Sequence, residues 1–481
     1  MLRRIAPVAV TLALSLSLGG CAREVHRPRP LAPDATAAAL ESRSLASPAL
    51  RDYLVAQGQP VDPWPRAIWD LPALTLAAVF HHADIEVARA RARVAAAERQ
   101  TSRTRVPWTL TARPEYDSRE NGATPWGLGV LAGLPLDIGG KRAIRSEQLQ
   151  RLENAAGIEV GVAAWRVRSR LRRHFADLHL ARVTLGLLEA EQAERVTLAR
   201  LIDRRVAVGY AAETEASAIR LRLAEGDLAL RRAAIRQDQA LAGVAEAAGL
   251  PLDEVRAARF DFAAVATLVP APTGADLQRA ALLNRIDLRR KLADYAAAEA
   301  AVKLEVARQY PDLTLAPGYL WDADQSVWSL AFLAVIPPVA RTKALIREAE
   351  ARREVEEKAF VAMQAGVIAE AQAAASRYQR ALAAHTAARG QVDAAVRRRE
   401  QVQRQFEGGH VDRVELTLAR VEAAVAERTA VVAMLEVQQG LSALEDALQR
   451  PLDNPELTAS AQAVAATPAD PGINPALIDN D

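Results

Sequence analysis

Two periodicities divide the sequence. Over residues 137–208 and 339–406 no proline occurs, and apolar positions step by threes and fours, as in Leu171, Phe175, Leu178, Leu185 and Leu188. The stepping returns in Val414, Leu418, Val421, Val425, Val432 and Leu435. It predicts long helices packed as antiparallel coiled coils. At 1.5 Å per residue each proline-free stretch would be about 100 Å long. Four short runs instead alternate with period two: residues 108–117, 124–135, 312–321 and 326–336. In the first, Trp108, Leu110 and Ala112 share a face opposite Thr109, Thr111 and Arg113. In the second, Trp126, Leu128, Val130 and Ala132 oppose Gly127, Gly129 and Gly133. Leu313, Leu315, Tyr319 and Trp321 share a face of the third, and Trp328, Leu330 and Phe332 a face of the fourth. These are strands. The first pair is joined through Asn121-Gly122, a strong hairpin turn signal, and the second through residues 322–325.

The order of elements repeats. Asp84, Pro135, Gly209 and Asp253 stand in contexts that recur around Asp287, Pro337, Gly409 and Asp453, a spacing of about 200 residues, far above the period of solenoid repeats. Each half reads as helix, strand hairpin, long helix, glycine break, helix. Gly209 and Gly409 sit between strongly helical segments, where a glycine marks a tight reversal. The first repeat covers residues 74–270 and the second 271–454, so the expected class is mainly α with a small β part. Residues 24–73 carry eight prolines and read as an extended tether, over residues 21–73, running across a surface. Residues 455–481 mix Ala, Pro and Asp without periodicity and read as a disordered tail.

Composition agrees with long helices and not with one compact core. The chain has 481 residues, half of them hydrophobic, yet only 4% are aromatic. Lys and Arg (61) nearly cancel Asp and Glu (59) without gathering into a block, which gives no reason to expect nucleic acid. The first 20 residues read as a signal peptide: Arg3 and Arg4, an apolar stretch from Ile5 to Leu18, and small residues before Cys21. Cys21 is the single cysteine, so no internal disulfide can form. Leu18-Gly19-Gly20-Cys21 resembles the bacterial lipoprotein box, which implies lipidation of Cys21. Ala22 after it implies sorting to the outer membrane.

No later segment offers a spanning helix, so any further membrane crossing must use strands. The four runs are about ten residues long, enough to cross a bilayer when tilted. Of the seven Trp, four (Trp108, Trp126, Trp321 and Trp328) lie in them, as an aromatic girdle requires. Pairs of soluble hairpins packed on helices would show the same alternation. Four strands cannot close a membrane barrel, because an open edge in lipid leaves backbone groups unpaired. If the strands span, the protein is an oligomer.

Motifs for chemistry are wanting. Gly139-Gly140-Lys141 lacks the upstream glycine of a phosphate loop, and Arg142 follows the lysine. His174 and His179 are five apart and off one helical face, and neither H-E-x-x-H nor G-x-S-x-G occurs. No catalytic, metal or cofactor site is expected.

The pattern over roughly residues 74–454 resembles the TolC-like outer-membrane efflux family: tandem halves, each with a strand hairpin before a long helix, and a reversal at Phe406-Glu407-Gly408-Gly409. In the first half Val206 replaces the aromatic, so that copy is degenerate. The resemblance implies a homotrimer whose twelve-stranded β-barrel continues into an α-helical barrel spanning the periplasm. It implies an exit duct in the outer membrane, working with an inner-membrane pump and a periplasmic adaptor that contacts Val208, Gly209, Tyr210, Gly408, Gly409 and His410. It further implies an acidic ring at the periplasmic entrance, where Glu215 and Glu415 stand. The alternative is a periplasmic coiled-coil adaptor lipoprotein, which would explain the helices but not the four strands.

Overall fold

A computed structural model describes residues 26–104, 107–116, 126–270, 272, 274–322 and 325–452. The signal peptide, Cys21, the Asn121-Gly122 turn and the tail lie outside the described residues. The chain divides into two units. The described part of the first, which ends at Arg43, holds one helix, α1 (Pro33–Glu41), with no buried residue.

The second unit begins at Ser44. It opens with α2 (Pro48–Ala56), α3 (Leu71–His81) and α4 (Ala83–Arg103), followed by β1 (Thr109–Tyr116) and β2 (Trp126–Leu136). The long α5 (Lys141–Ala207) and its return helix α6 (Glu213–Ala248) complete the first repeat. Short helices α7 (Leu252–Ala257) and α8 (Ala263–Ala266) lead into the second: α9 (Gly274–Asn284), α10 (Ile286–Ala307), β3 (Asp312–Asp322), β4 (Gln325–Val335), α11 (Val339–Glu407) and α12 (Arg413–Leu448). The repeats match in length, 67 and 69 residues for the long helices and 36 for each return helix. No helix among the described residues is long and apolar enough to cross a membrane.

The expectation of an extended tether through residue 73 is corrected. Pro33 and Pro48 begin α1 and α2, and Pro72 lies in the first turn of α3. There proline's missing N–H costs no hydrogen bond and its fixed φ favours the helix. Ser47 caps α2 by accepting from the Leu50 N–H, and Asp70 caps α3 by accepting from Ala73. Leu50 and Leu54 are then fully buried with Leu74, Leu171 and Val244 in the core of the first repeat. The segment also donates from the Trp69 N–H to the Arg259 carbonyl (2.8 Å) and accepts at the Trp69 carbonyl from the Asp261 N–H (3.0 Å). Apolar residues, not proline count, decide its path.

Each repeat has its own core. In the second, Tyr378 is fully buried and its hydroxyl donates to the Val269 carbonyl at 2.6 Å, tying α11 to the chain between the repeats. Gly440 on α12 lets that helix approach: a Cβ there would stand 3.1 Å from the Tyr378 Cα. Below the cores, α5 packs against both α6 and α12, and α12 against α11, so the helices lie in the order α6-α5-α12-α11.

The α5–α12 seam joins the two repeats and is pinned by charge. Glu445, 1% exposed, holds Arg168 at 3.1 Å and Arg172 at 3.0 Å, while its other oxygen accepts from the Leu452 N–H. Farther down, buried Glu191 of α5 accepts from Arg195 at 3.0 Å and from Arg428 of α12 at 2.9 Å. Each carboxylate sits between two arginines; removing Glu445 strands two buried cations, whereas the partners of Glu191 are partly exposed. Glu445→Gln keeps the shape and loses the charge. The expected cost is about 3 kcal/mol or more, read as a lowered midpoint in thermal or denaturant unfolding of the purified protein; an unchanged midpoint would contradict the pinning.

Candidate functional site

Two regions carry the candidate residues, the four-stranded sheet and the two helix reversals. The sheet is antiparallel throughout, in the order β1-β2-β3-β4. Residues directly opposite one another share a face, so the register can be read across the whole sheet. Leu110, Ala112, Pro114 and Tyr116 face Ala132, Val130, Leu128 and Trp126. Leu128, Val130, Leu134 and Leu136 face Trp321, Tyr319, Leu315 and Leu313. Those four, with Pro317, face Ser326, Trp328, Phe332, Ala334 and Leu330. One entire face is therefore apolar or aromatic, with Ser326 as its exception. Its hydroxyl lies 2.9 Å from that of Tyr319.

The face is uncovered: Leu110 is 53% exposed, Trp126 55%, Leu330 60% and Trp328 80%. Monomeric water-soluble proteins rarely leave so much contiguous apolar surface. The opposite face differs. It carries Thr109, Thr111, Arg113 and Glu115 on β1, glycines beside Leu131 and Leu320 at the middle of the sheet, and Val327, Leu333 and Val335 on β4. A Cβ on Gly133 would meet the Thr109 hydroxyl oxygen at 2.5 Å, and one on Gly318 the Ser329 hydroxyl oxygen at 2.7 Å. The strand residues 108–117 begin at Thr109, so Trp108 stands just before β1, 62% exposed and next to the helical end. Trp126, Trp321 and Trp328 gather at the hairpin end with Tyr116 and Tyr319. Ring centroids there are 4.9 Å apart for Tyr116 and Trp126 and 4.8 Å for Tyr319 and Trp328.

Both helix reversals have one geometry. After α5 the Tyr210 N–H donates to the Arg205 carbonyl (2.8 Å) and Gly209 to Val206 (3.0 Å); after α11 His410 donates to Gln405 (2.8 Å) and Gly409 to Phe406 (3.0 Å). This is the paired-bond stop that needs a left-handed residue. Gly209 and Gly409 supply it with φ of 80° and 76°. The degenerate first copy thus turns like the second. Val208 and Tyr210 are 66% and 85% exposed, and Gly408, Gly409 and His410 are exposed as well.

Glu215 and Glu415 fall in the first turns of α6 and α12, both exposed and neither ion-paired among the described residues. Their neighbours are paired. Arg220 holds Asp203 at 2.8 Å and Glu213 at 2.7 Å, and those hydrogen bonds, Glu213's first, push its guanidinium pKa up. The sequence reading missed Asp412, which caps α12 by accepting from the Val414 N–H (2.8 Å) and Glu415 N–H (3.1 Å). Its other oxygen pairs with Arg205, linking the two reversals. The signal was present as an N-cap Asp with Glu three residues on. The equivalent Ala212 has no cap.

No family profile matches the sequence, and no curated protein matches it. Solved structures do match. The outer membrane protein VceC of Vibrio cholerae is 18% identical with a TM-score of 0.64, over 79% of this chain and 95% of its own. The CmeC outer membrane channel of Campylobacter jejuni is 14% identical, TM-score 0.65, over 84% and 90%. The MtrE outer membrane channel of Neisseria gonorrhoeae, in its open state, is 18% identical, TM-score 0.62, over 79% and 89%.

Asp412→Ala removes cap and ion pair together, whereas Asp412→Asn keeps the cap alone. Loss of the cap costs about 1 kcal/mol, so amide exchange at Val414 and Glu415 should quicken about fivefold in the Ala variant and much less in the Asn variant. Equal rates in all three proteins would contradict the assignment. The chain has the fold of the TolC-like outer-membrane channels.

Proposed function

We propose that this protein is the outer-membrane exit duct of a tripartite efflux or secretion system, a conduit without chemistry of its own. One observation carries the reading: a four-stranded sheet with one uncovered face that is apolar but for Ser326, and two edges unpaired among the described residues. Strands of 11 residues rise about 37 Å along their length, or about 26 Å at 45° of tilt, close to the apolar height of outer-membrane barrels. Closing the edges takes other copies of the chain. Three copies give the twelve strands that the family resemblance implies, with Thr109, Thr111, Arg113 and Glu115 lining a wet lumen. The helix layer supports the same assembly: α6, at its edge, exposes Leu221, Leu228 and Ile235 at seven-residue spacing, a seam for a neighbouring copy's α11.

In this reading Trp126, Trp321 and Trp328 anchor the outer rim of the barrel and Trp108 its periplasmic rim. Lipidated Cys21 adds an anchor. The exposed reversals, Val208-Gly209-Tyr210 and Gly408-Gly409-His410, meet the periplasmic adaptor, which couples the duct to an inner-membrane pump. Glu215 and Glu415 ring the entrance, where unpaired carboxylates focus a field that draws cations. The adaptor alternative leaves the apolar sheet face in water and is disfavoured for that reason.

Planar-bilayer recording tests this. The purified protein should insert and conduct with cation selectivity, and Glu415→Ala should lower that selectivity or raise the closed-state conductance. Failure to insert would contradict the duct, and unchanged selectivity and conductance in the variant would remove the ring.

A further inference from the structure

The two return helices begin differently. α12 starts on the Asp412 cap, and residues 413–422 bury Val414, Leu416, Thr417 and Ala419. α6 starts after Ala212, whose methyl caps nothing, and residues 213–222 bury Ala216 alone, with Ile219 partly buried beside it. Without a side-chain cap, the N–H groups of this first turn look to water. Arg220 ties the stretch to Asp203 and Glu213, but these pairs are exposed, and exposed pairs contribute little. Of the seam that a neighbouring copy covers in the duct, only Leu221 falls within it.

The loose packing ends at one level. Gln192 of α5, 8% exposed, donates from its amide nitrogen to the Leu223 carbonyl at 2.9 Å and to the Asp227 carboxylate at 2.7 Å. Arg195 donates to the Arg222 carbonyl at 2.8 Å. Gly226 makes room for this latch: a Cβ there would stand 2.0 Å from the Gln192 side-chain oxygen. Arg195 is in turn held by Glu191, which Arg428 joins to α12. In a helix the carbonyls of Arg222 and Leu223 serve the N–H groups of Gly226 and Asp227. Unwinding α6 past this level pulls those carbonyls from their α5 donors and leaves a buried amide unpaired, whereas unwinding below it gives up little.

We propose that residues 213–222 are a segment of α6 that opens locally while the rest of the chain stays folded, with the Gln192 latch as its upper stop. The proposal rests on the duct reading, in which this segment stands at the periplasmic entrance. Its opening widens the mouth and lets the first reversal change shape, while the second, capped by Asp412 and tied to Arg205, keeps its own.

Hydrogen exchange read by mass spectrometry, on full-length protein in lipid nanodiscs, tests this within one molecule. Amides of residues 217–222 should exchange about tenfold faster than those of residues 417–422, with the rate falling at Gly226 and Asp227. Gly226→Ala is the discriminating variant. Alanine favours a helix more than glycine does, so a merely helical role for the position would slow exchange over residues 224–230. Parting the latch instead quickens it about tenfold, and Gln192→Leu should do the same. Ala212→Asp, at an exposed position, supplies the missing cap and should slow residues 217–222 about fivefold. Equal exchange in the two return helices, or slower exchange in Gly226→Ala, overturns the proposal. Bilayer recording on the same preparations keeps it apart from the duct reading. Ala212→Asp should open about fivefold less often than the unaltered protein; unchanged opening overturns the link between segment and mouth, whereas graded exchange in a protein that never conducts sinks the duct reading alone.

Discussion

A backbone N–H or C=O withdrawn from water and left without a partner costs several kcal/mol, and this constraint governs the architecture. The sheet of β1 to β4 presents one largely apolar, uncovered face and two edges that lipid could not satisfy. The duct reading resolves the conflict by closing the edges on other copies of the chain. It follows that helices continuous with those strands also stand side by side around an axis. Their edge seams, such as Leu221, Leu228 and Ile235, then need no cover from within the chain.

Within one chain, the two repeats meet along α5 and α12, and the seam is unusually ionic for a coiled coil poor in aromatic residues. Glu445 and Glu191 each draw arginines across or along it, and Arg205 with Asp412 closes it at the reversals. Between these pins the packing is mostly Ala, Val and Leu, which lets helices approach closely but specifies register weakly. Buried charge pairs add direction, since a shift of one turn would leave a carboxylate among apolar atoms. The same seam carries Glu194 and Arg420 at 3.8 Å.

Much of this was legible in the sequence. Period two gave the strands to within two residues of their ends, and the shared faces of Trp126, Leu128 and Val130 or of Trp321 and Tyr319 hold in the register. The glycines at 209 and 409 marked the reversals because positive φ leaves few alternatives. Proline density misled: Pro48 and Pro72 start helices, and burial of Leu50 and Leu54 depends on partners distant in the chain. Asp412 was missed because its importance lies in Arg205, 207 residues away, a pairing that no local pattern encodes.

The central claim is that the strands span a membrane as a barrel shared among copies. The native mass of the detergent-extracted mature protein, taken from purified outer membranes, tests it most directly. The account predicts a membrane-bound species at three times the mass of one chain. A soluble monomer, recovered without detergent, would contradict it.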